Sequence, residues 1–289
     1  MNKKYQGIIC IIASAFFFAL MNLFVKLSGD IPVIQKSFFR NAVAVIFAVI
    51  ILTKNKSWQM PKGKNLTDLI FRSVAGTIGI FCNFYAVSHI NIADASILNK
   101  LSPFFAIIFS VILLKEKANI RQFVAVSVAF AGSLLVMKPT LSLDFLPSFI
   151  GFLGGLSAGL AYTFVRKVTL NGVKGPMVVF FFSAFSSIVT LPFVIFDFTP
   201  MSTSQWVYLA LAGLCASGGQ IFITMAYSKA PAKEISIYDY TQIIFAMLIS
   251  LFVFSDIPDT LSIIGYVVII FAAIFNAWHN IKPKNQVRI

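Results

Sequence analysis

The chain has 289 residues, 58% hydrophobic and 11% charged, with a mean hydropathy of +0.88. So few polar residues cannot cover a soluble globule of this size, which excludes a soluble protein and points to a polytopic membrane protein. The net charge of +13 would suit a nucleic-acid binder, but the bases sit in alternate short connections between apolar runs.

In chain order, membrane-length apolar runs cover residues 5–27, 33–53, 68–88, 93–114 and 120–137, then 147–166, 175–196, 205–227, 233–254 and 260–279. Each can cross roughly 30 Å of hydrocarbon as a helix, with some tilt. Helix is required, because an unclosed sheet would leave backbone groups unpaired in lipid. Lys3 and Lys4 followed by an apolar run imitate a signal peptide, with Ala13-Ser14-Ala15 as its cleavage site. The run continues through Phe16 to Val25 and is expected to stay as an uncleaved first span.

Orientation follows from lysine and arginine. The connection after the second span carries Lys54, Lys56, Lys62 and Lys64, with Arg72 just inside the third. Lys115, Lys117 and Arg121 flank the fourth-to-fifth connection, Arg166, Lys167 and Lys174 the sixth-to-seventh, and Lys229 and Lys233 the eighth-to-ninth. Lys282, Lys284 and Arg288 end the chain. The opposite connections hold Asp144 with Lys138, then Asp197, then Asp256 and Asp259. Both termini are therefore expected in the cytoplasm, in a multi-pass protein of the plasma membrane. Trp58, Trp206 and Trp278 fall near span ends, where indoles anchor at headgroups.

The second half repeats the first at an offset of 140 positions: Gly79 and Gly219, Ala86 and Ala226, Ser96 and Ser236, Phe105 and Phe245, Ser110 and Ser250. Asp94 and Glu234, Asn99 and Asp239, and Glu116 and Asp256 keep the same register. Five spans per copy force the second copy to enter from the opposite side. The expected architecture is all-α, ten transmembrane helices in two inverted five-helix repeats, 1–140 and 141–289, forming one membrane domain. That symmetry lets a midplane site open alternately to either face. Lys115-Glu116-Lys117 has become Ser255-Asp256-Ile257, the loss of lysines expected of a segment that changes sides.

Cys10, Cys82 and Cys215 stand singly within spans, without disulfide or metal-ligand spacing. Gly151, Gly155 and Gly159 make a small-residue ridge on the sixth span; it serves either static packing or sliding of one bundle on another. Ionisable groups inside spans are expensive and mark a pathway or a pair. Arg40, Lys100 and Asp239 lie deep enough to reach a midplane cavity, or to neutralise one another. Polar faces add Asn22 on the first span, Asn83 and Tyr85 on the third, Asn99 on the fourth and Tyr162 on the sixth. Ser217, Gln220, Thr224 and Tyr227 form a stripe on the eighth span, and Tyr238 and Gln242 another on the ninth. Each residue alone suits an interhelical hydrogen bond; several spans bearing such stripes suit a shared binding cavity. Pro103 interrupts the fourth span, as a packing kink or as a hinge beside Asn99 and Lys100.

Phe38-Phe39-Arg40-Asn41, Pro103…Glu116 and Tyr238…Gln242…Phe254-Ser255-Asp256-Ile257-Pro258 carry a resemblance to the drug/metabolite transporter superfamily, EamA type, over nearly the whole chain. Asp256, where that family more often has glutamate, and Ile243, where a proline is missing, depart from its pattern. The resemblance implies a central cavity lined by spans 1, 3, 4, 6, 8 and 9 and a small-molecule substrate.

The resulting expectation is a secondary transporter, gradient-driven or exchanging, for a small amphipathic metabolite, with amino-acid derivatives among the candidates and protons as the candidate coupling ion. Mixed charge from Arg40, Lys100 and Asp239 would suit a zwitterion. The alternative is a flippase for a lipid-linked anion. His89 and His279 lie at span ends and no paired carboxylates share a span, which argues against an enzyme. No metal, cofactor or nucleic-acid partner is expected.

Overall fold

The computed structural model describes residues 3–56, 58–115, 120, 124, 127–128, 131–132, 134–135, 145–230, 238–255 and 257–281. These residues form helices: α1 Lys3–Leu27, α2 Val33–Lys54, α3 Lys64–His89, α4 Ile92–Asn99, α5 Ser102–Leu114, α6 Phe145–Leu170, α7 Gly175–Phe196, α8 Thr203–Lys229, α9 Thr241–Ile249 and α10 Thr260–Ile281. Among the described residues seven spans are long and apolar enough to cross a membrane, α4 and α5 counting together as Asp94–Leu114. Thr241–Phe254 and Thr260–Ala272 are shorter apolar stretches. The chain is a multi-pass helical membrane protein. Of the fifth expected span only Ile120, Val124, Ser127, Val128, Ala131, Gly132, Leu134 and Leu135 are described, all helical. Glu116, Lys117, Arg121, Lys138, Asp144, residues 231–237, Asp256, Lys282, Lys284 and Arg288 lie outside the described residues.

Local chemistry sets the helix ends. Ser202 and Gln205 form a capping box at the start of α8, and Gln205 Nε2 also donates to the Ser28 carbonyl at 3.1 Å, tying α8 to the end of α1. Pro103 stands in the first turn of α5, where its missing N–H is no loss. The fourth span therefore breaks at Lys100 and Leu101 rather than bending smoothly. The ninth span breaks at the repeat-equivalent Tyr240, without a proline. The same offset relates the left-handed residues Lys115 and Ser255, with φ of 54° and 55°, which end the fourth and ninth spans.

Packing follows three long pairings: α1 along α8, α3 along α6, and α2 along α7. Exchanging the two halves (first span for sixth, second for seventh, third for eighth) maps this set of pairings onto itself. Ile11, Phe84, Val165, Ala216 and Ile223 fill the core between them, and a second cluster gathers Leu101, Phe104, Tyr240, Ile243 and Ile269. The glycine ridge of α6 faces α3, α4 and α5. A Cβ on Gly159 would lie 2.6 Å from Phe105 Cβ and 2.7 Å from the Ser102 carbonyl; one on Gly154 would lie 3.1 Å from Cys82 Cβ. Ile46 on α2 and Ile188 and Phe196 on α7 point outward, as a lipid-facing surface requires.

Candidate functional site

Between the paired helices lies a central cavity. Its wall is drawn from both halves: Phe18, Met21 and Asn22 on α1, Arg40 on α2, Arg72, Gly76, Asn83 and Phe84 on α3, and Asn99 at the end of α4. The second half supplies Ala158, Ala161 and Tyr162 on α6, Phe182 on α7, Gln220 on α8 and Gln242 on α9. Helices α2 and α7 thus join the six spans expected from the resemblance. The volume of about 60 Å³ holds the centres of a few waters. Among the described residues that line the cavity, none is acidic.

The polar groups form short chains across helices. Asn83 Nδ2 donates to Asn22 Oδ1 at 3.1 Å, and Asn22 Nδ2 reaches Ser96 Oγ at 3.5 Å, so α3, α1 and α4 share one chain. Arg40 Nη1 donates to its neighbour Asn41 at 2.6 Å, and Asn41 in turn donates to Ser186 Oγ on α7 at 2.8 Å. Arg72 Nη2 donates to Gln220 Oε1 at 3.2 Å. Its guanidinium carbon lies 3.7 Å from the Phe182 ring centroid, and that of Arg40 lies 5.6 Å from the same centroid. Such cation–π contacts gain strength when desolvated, and both arginines are buried, at 1% and 2% exposure.

Lys100 and Asp239 face each other where the two broken spans cross. Lys100 Nζ lies 2.7 Å from Asp239 Oδ1, and both side chains are buried. Neither belongs to the cavity wall. Buried charges demand a partner of this kind, since an isolated ion in the interior loses its hydration without replacement. Asp239 Oδ2 has no hydrogen-bond partner among the described residues.

Seven of the residues expected at the site line the cavity: Asn22, Arg40, Asn83, Asn99, Tyr162, Gln220 and Gln242. Tyr227 stacks on Tyr162, with ring centroids 5.3 Å apart, and so backs the wall. Thr224 is buried one helical turn beyond Gln220, its hydroxyl without a partner among the described residues. Tyr85 stacks on His89 at 4.0 Å, near the end of α3 and away from the cavity wall. Tyr238 is half-buried against the apolar core, and its carbonyl accepts from Thr241 Oγ1 at 2.7 Å.

Arg72 and Phe182 were not among the expected site residues. Arg72 counts in sequence as one more cytoplasmic base beside a lysine-bearing loop. A signal does exist in its spacing to Gly76, one turn on. Helical side chains lean toward the N-terminus, yet the Arg72 guanidinium occupies the space a Cβ at Gly76 would need. Glycine there lets the arginine run toward the middle of the membrane and lie on Phe182.

The chain matches the EamA-like transporter family over residues 5–138 and 146–278. It is 31% identical to the pseudopaline exporter CntI of Pseudomonas aeruginosa over 272 residues, spanning 93% of this chain and 95% of that one. An uncharacterised transporter of Helicobacter pylori is 24% identical over 93% of both chains. Solute carrier family 35 member G1 of Mus musculus is 28% identical over 87% of this chain and 73% of that one. A solved crystal structure of 12% identity superposes with a TM-score of 0.71, covering 96% of this chain and 99% of the other, which shows a shared fold. With both halves matched and relatives aligned along most of its length, this chain belongs to the EamA-like transporter family.

Proposed function

We propose that the protein is a secondary transporter that carries a small amphipathic metabolite across the cytoplasmic membrane by alternating access. In this reading residues 1–140 and 141–289 are inverted five-helix repeats, ten spans in all, with both termini in the cytoplasm. The observation that carries it is the central cavity, whose wall draws polar side chains from both halves in a member of a transporter family. Equivalent helix breaks at Lys100 and Tyr240, equivalent left-handed ends at Lys115 and Ser255, and the self-mapping helix pairings support the repeat. Broken helices at mid-membrane are where such carriers place their ligand and gating groups.

Asn22, Arg40, Asn83, Asn99, Tyr162, Gln220 and Gln242 contact the substrate, with Tyr85, Thr224, Tyr227 and Tyr238 supporting or flanking the path. Lys100 and Asp239 act as a latch between the two halves: their ion pair joins the broken spans and must shift when one side opens. The relative named as an exporter favours outward movement; in this reading the cargo is an amino-acid-derived solute and protons are the coupling ion.

Reconstitution tests this. Proteoliposomes are loaded with a panel of labelled amino-acid-derived metabolites, and flux is followed with and without an imposed proton gradient. Saturable flux of a soluble metabolite is expected. Movement of fluorescent lipid alone would establish a flippase instead.

A further inference from the structure

Resting on the cavity as the transport site, one feature narrows its cargo. Two arginines reach the wall from different helices, and among the described residues neither meets a carboxylate. Asp68, one turn from Arg72 on α3, is bonded through Oδ1 to Lys167 Nζ at 2.8 Å. Asp239, the buried acid of the ninth span, is bonded to Lys100. An arginine carries five N–H donors. Arg40 is held by Asn41 and Arg72 by Gln220, both neutral, while Arg40 Nε and Arg72 Nε and Nη1 make no hydrogen bond among the described residues. A structural arginine at this depth would be expected to own a counterion, because an uncompensated buried charge is strongly destabilising. Here two share the Phe182 ring, 3.7 and 5.6 Å from its centroid, so less than the sum of these distances separates them.

We propose that Arg40 and Arg72, set on Phe182, form an oxyanion subsite, and that the transported substrate carries at least two negative charges, as carboxylate or phosphate groups. Guanidinium forks match either group with paired hydrogen bonds. The expectation of a zwitterion, which drew on Asp239 as a receptor for an ammonium group, is thereby replaced. Asp239 is already occupied by Lys100, and the charges the described residues bring to the cavity wall are both positive. The substrate's own charge then supplies the missing compensation, so the loaded cavity closes more readily than the empty one.

The full-length protein in phosphatidylcholine nanodiscs tests this by thermal unfolding. Sulfate and N-acetylglutamate (both dianions), N-acetylglutamine (a monoanion) and glutamine (a zwitterion) are titrated in turn. A parallel set of discs contains phosphatidic acid, to detect a lipid-borne phosphate. The dianions should stabilise most, and glutamine least. Stabilisation by phosphatidic acid alone would assign the oxyanion to a lipid and keep the subsite. Arg40→Met and Arg72→Met should each weaken the dianion response at least tenfold, while the ligand-free variants unfold at the wild-type temperature or above it. A structural role predicts the opposite sign for that last readout. Lower unfolding temperatures in both ligand-free variants would overturn the proposal. So would an absence of charge order across the panel, lipid included. Saturable flux of glutamine that survives both substitutions would leave a transporter without this subsite. Arginine-dependent dianion binding without flux of any solute would leave the subsite and remove transport.

Discussion

Replacing Asp239 with asparagine removes one member of an ion pair that is 2.7 Å across and buried on both sides. The new side chain is nearly isosteric, and asparagine already stands at the repeat-equivalent Asn99, so shape is conserved and charge alone is lost. Lys100 is then a buried cation with no anionic partner. Breaking a buried pair in this way costs about 3–5 kcal/mol, whereas replacing both members by apolar groups is close to neutral. At roughly 2–4 °C per kcal/mol for a chain of about this size, Asp239→Asn should lower the unfolding midpoint by on the order of 10 °C. Adding Lys100→Met should restore most of that loss. The assay is thermal unfolding of wild type, both single variants and the double variant in one detergent, read as a double-mutant cycle. Initial exchange rates of the same four proteins should separate stability from gating: the double variant should fold well yet exchange slowly, because the latch is gone. If Asp239→Asn unfolds with wild type and the cycle shows no coupling, the pair does not hold the two halves together and is not a latch. A fully active double variant would refute the gating role alone.

Gly159→Ala should destabilise by about 1–3 kcal/mol, because its Cβ meets Phe105 Cβ at 2.6 Å and the Ser102 carbonyl at 2.7 Å; equal stability in a denaturation series would contradict the packing. Cysteines at Lys62 and Lys64 should react with impermeant reagent from the cytoplasmic face and one at Asp197 from the outside, in a background lacking Cys10, Cys82 and Cys215; labelling from one face only would remove the topology and the inverted repeat with it. Alanine at Tyr162, Gln220, Thr224 or phenylalanine at Tyr238 should reduce substrate affinity with expression and folding nearly intact. Misfolded variants, with ordinary transport by the surviving protein, would reassign these residues to packing.

The helical membrane class was readable from hydropathy because lipid leaves the backbone one open solution, and the described α1, α2, α3, α6, α7 and α8 lie where the apolar runs placed them. The cavity-facing Asn22, Asn83 and Gln220 were readable because an amide in a membrane helix must find a partner. The Lys100–Asp239 pair was one of two open readings: one-dimensional spacing fixes depth in the membrane but not which neighbouring helix a long side chain meets. Arg72 was hidden by its company, since a base near a lysine-rich connection reads as a cytoplasmic charge. Its turn toward the membrane centre depends on Gly76 and on Phe182 of α7, a contact across more than a hundred residues. Helix α7 enters the cavity wall through Phe182, which lies against Arg72, whereas Arg40 of α2 was already readable as an ionisable group deep in a span.

Alternating access would expose one cavity to each face of the membrane in turn, and Ala158 reports on that exposure directly. This residue lines the cavity from α6, and cysteine adds a single sulfur atom to its side chain. With the three native cysteines replaced, Ala158→Cys should be modified by an impermeant thiol reagent applied to either face of oriented vesicles. Substrate should speed labelling from one face and slow it from the other, since a single population shifts between two states. Labelling confined to one face at every substrate concentration, while flux persists, would contradict alternating access through this cavity.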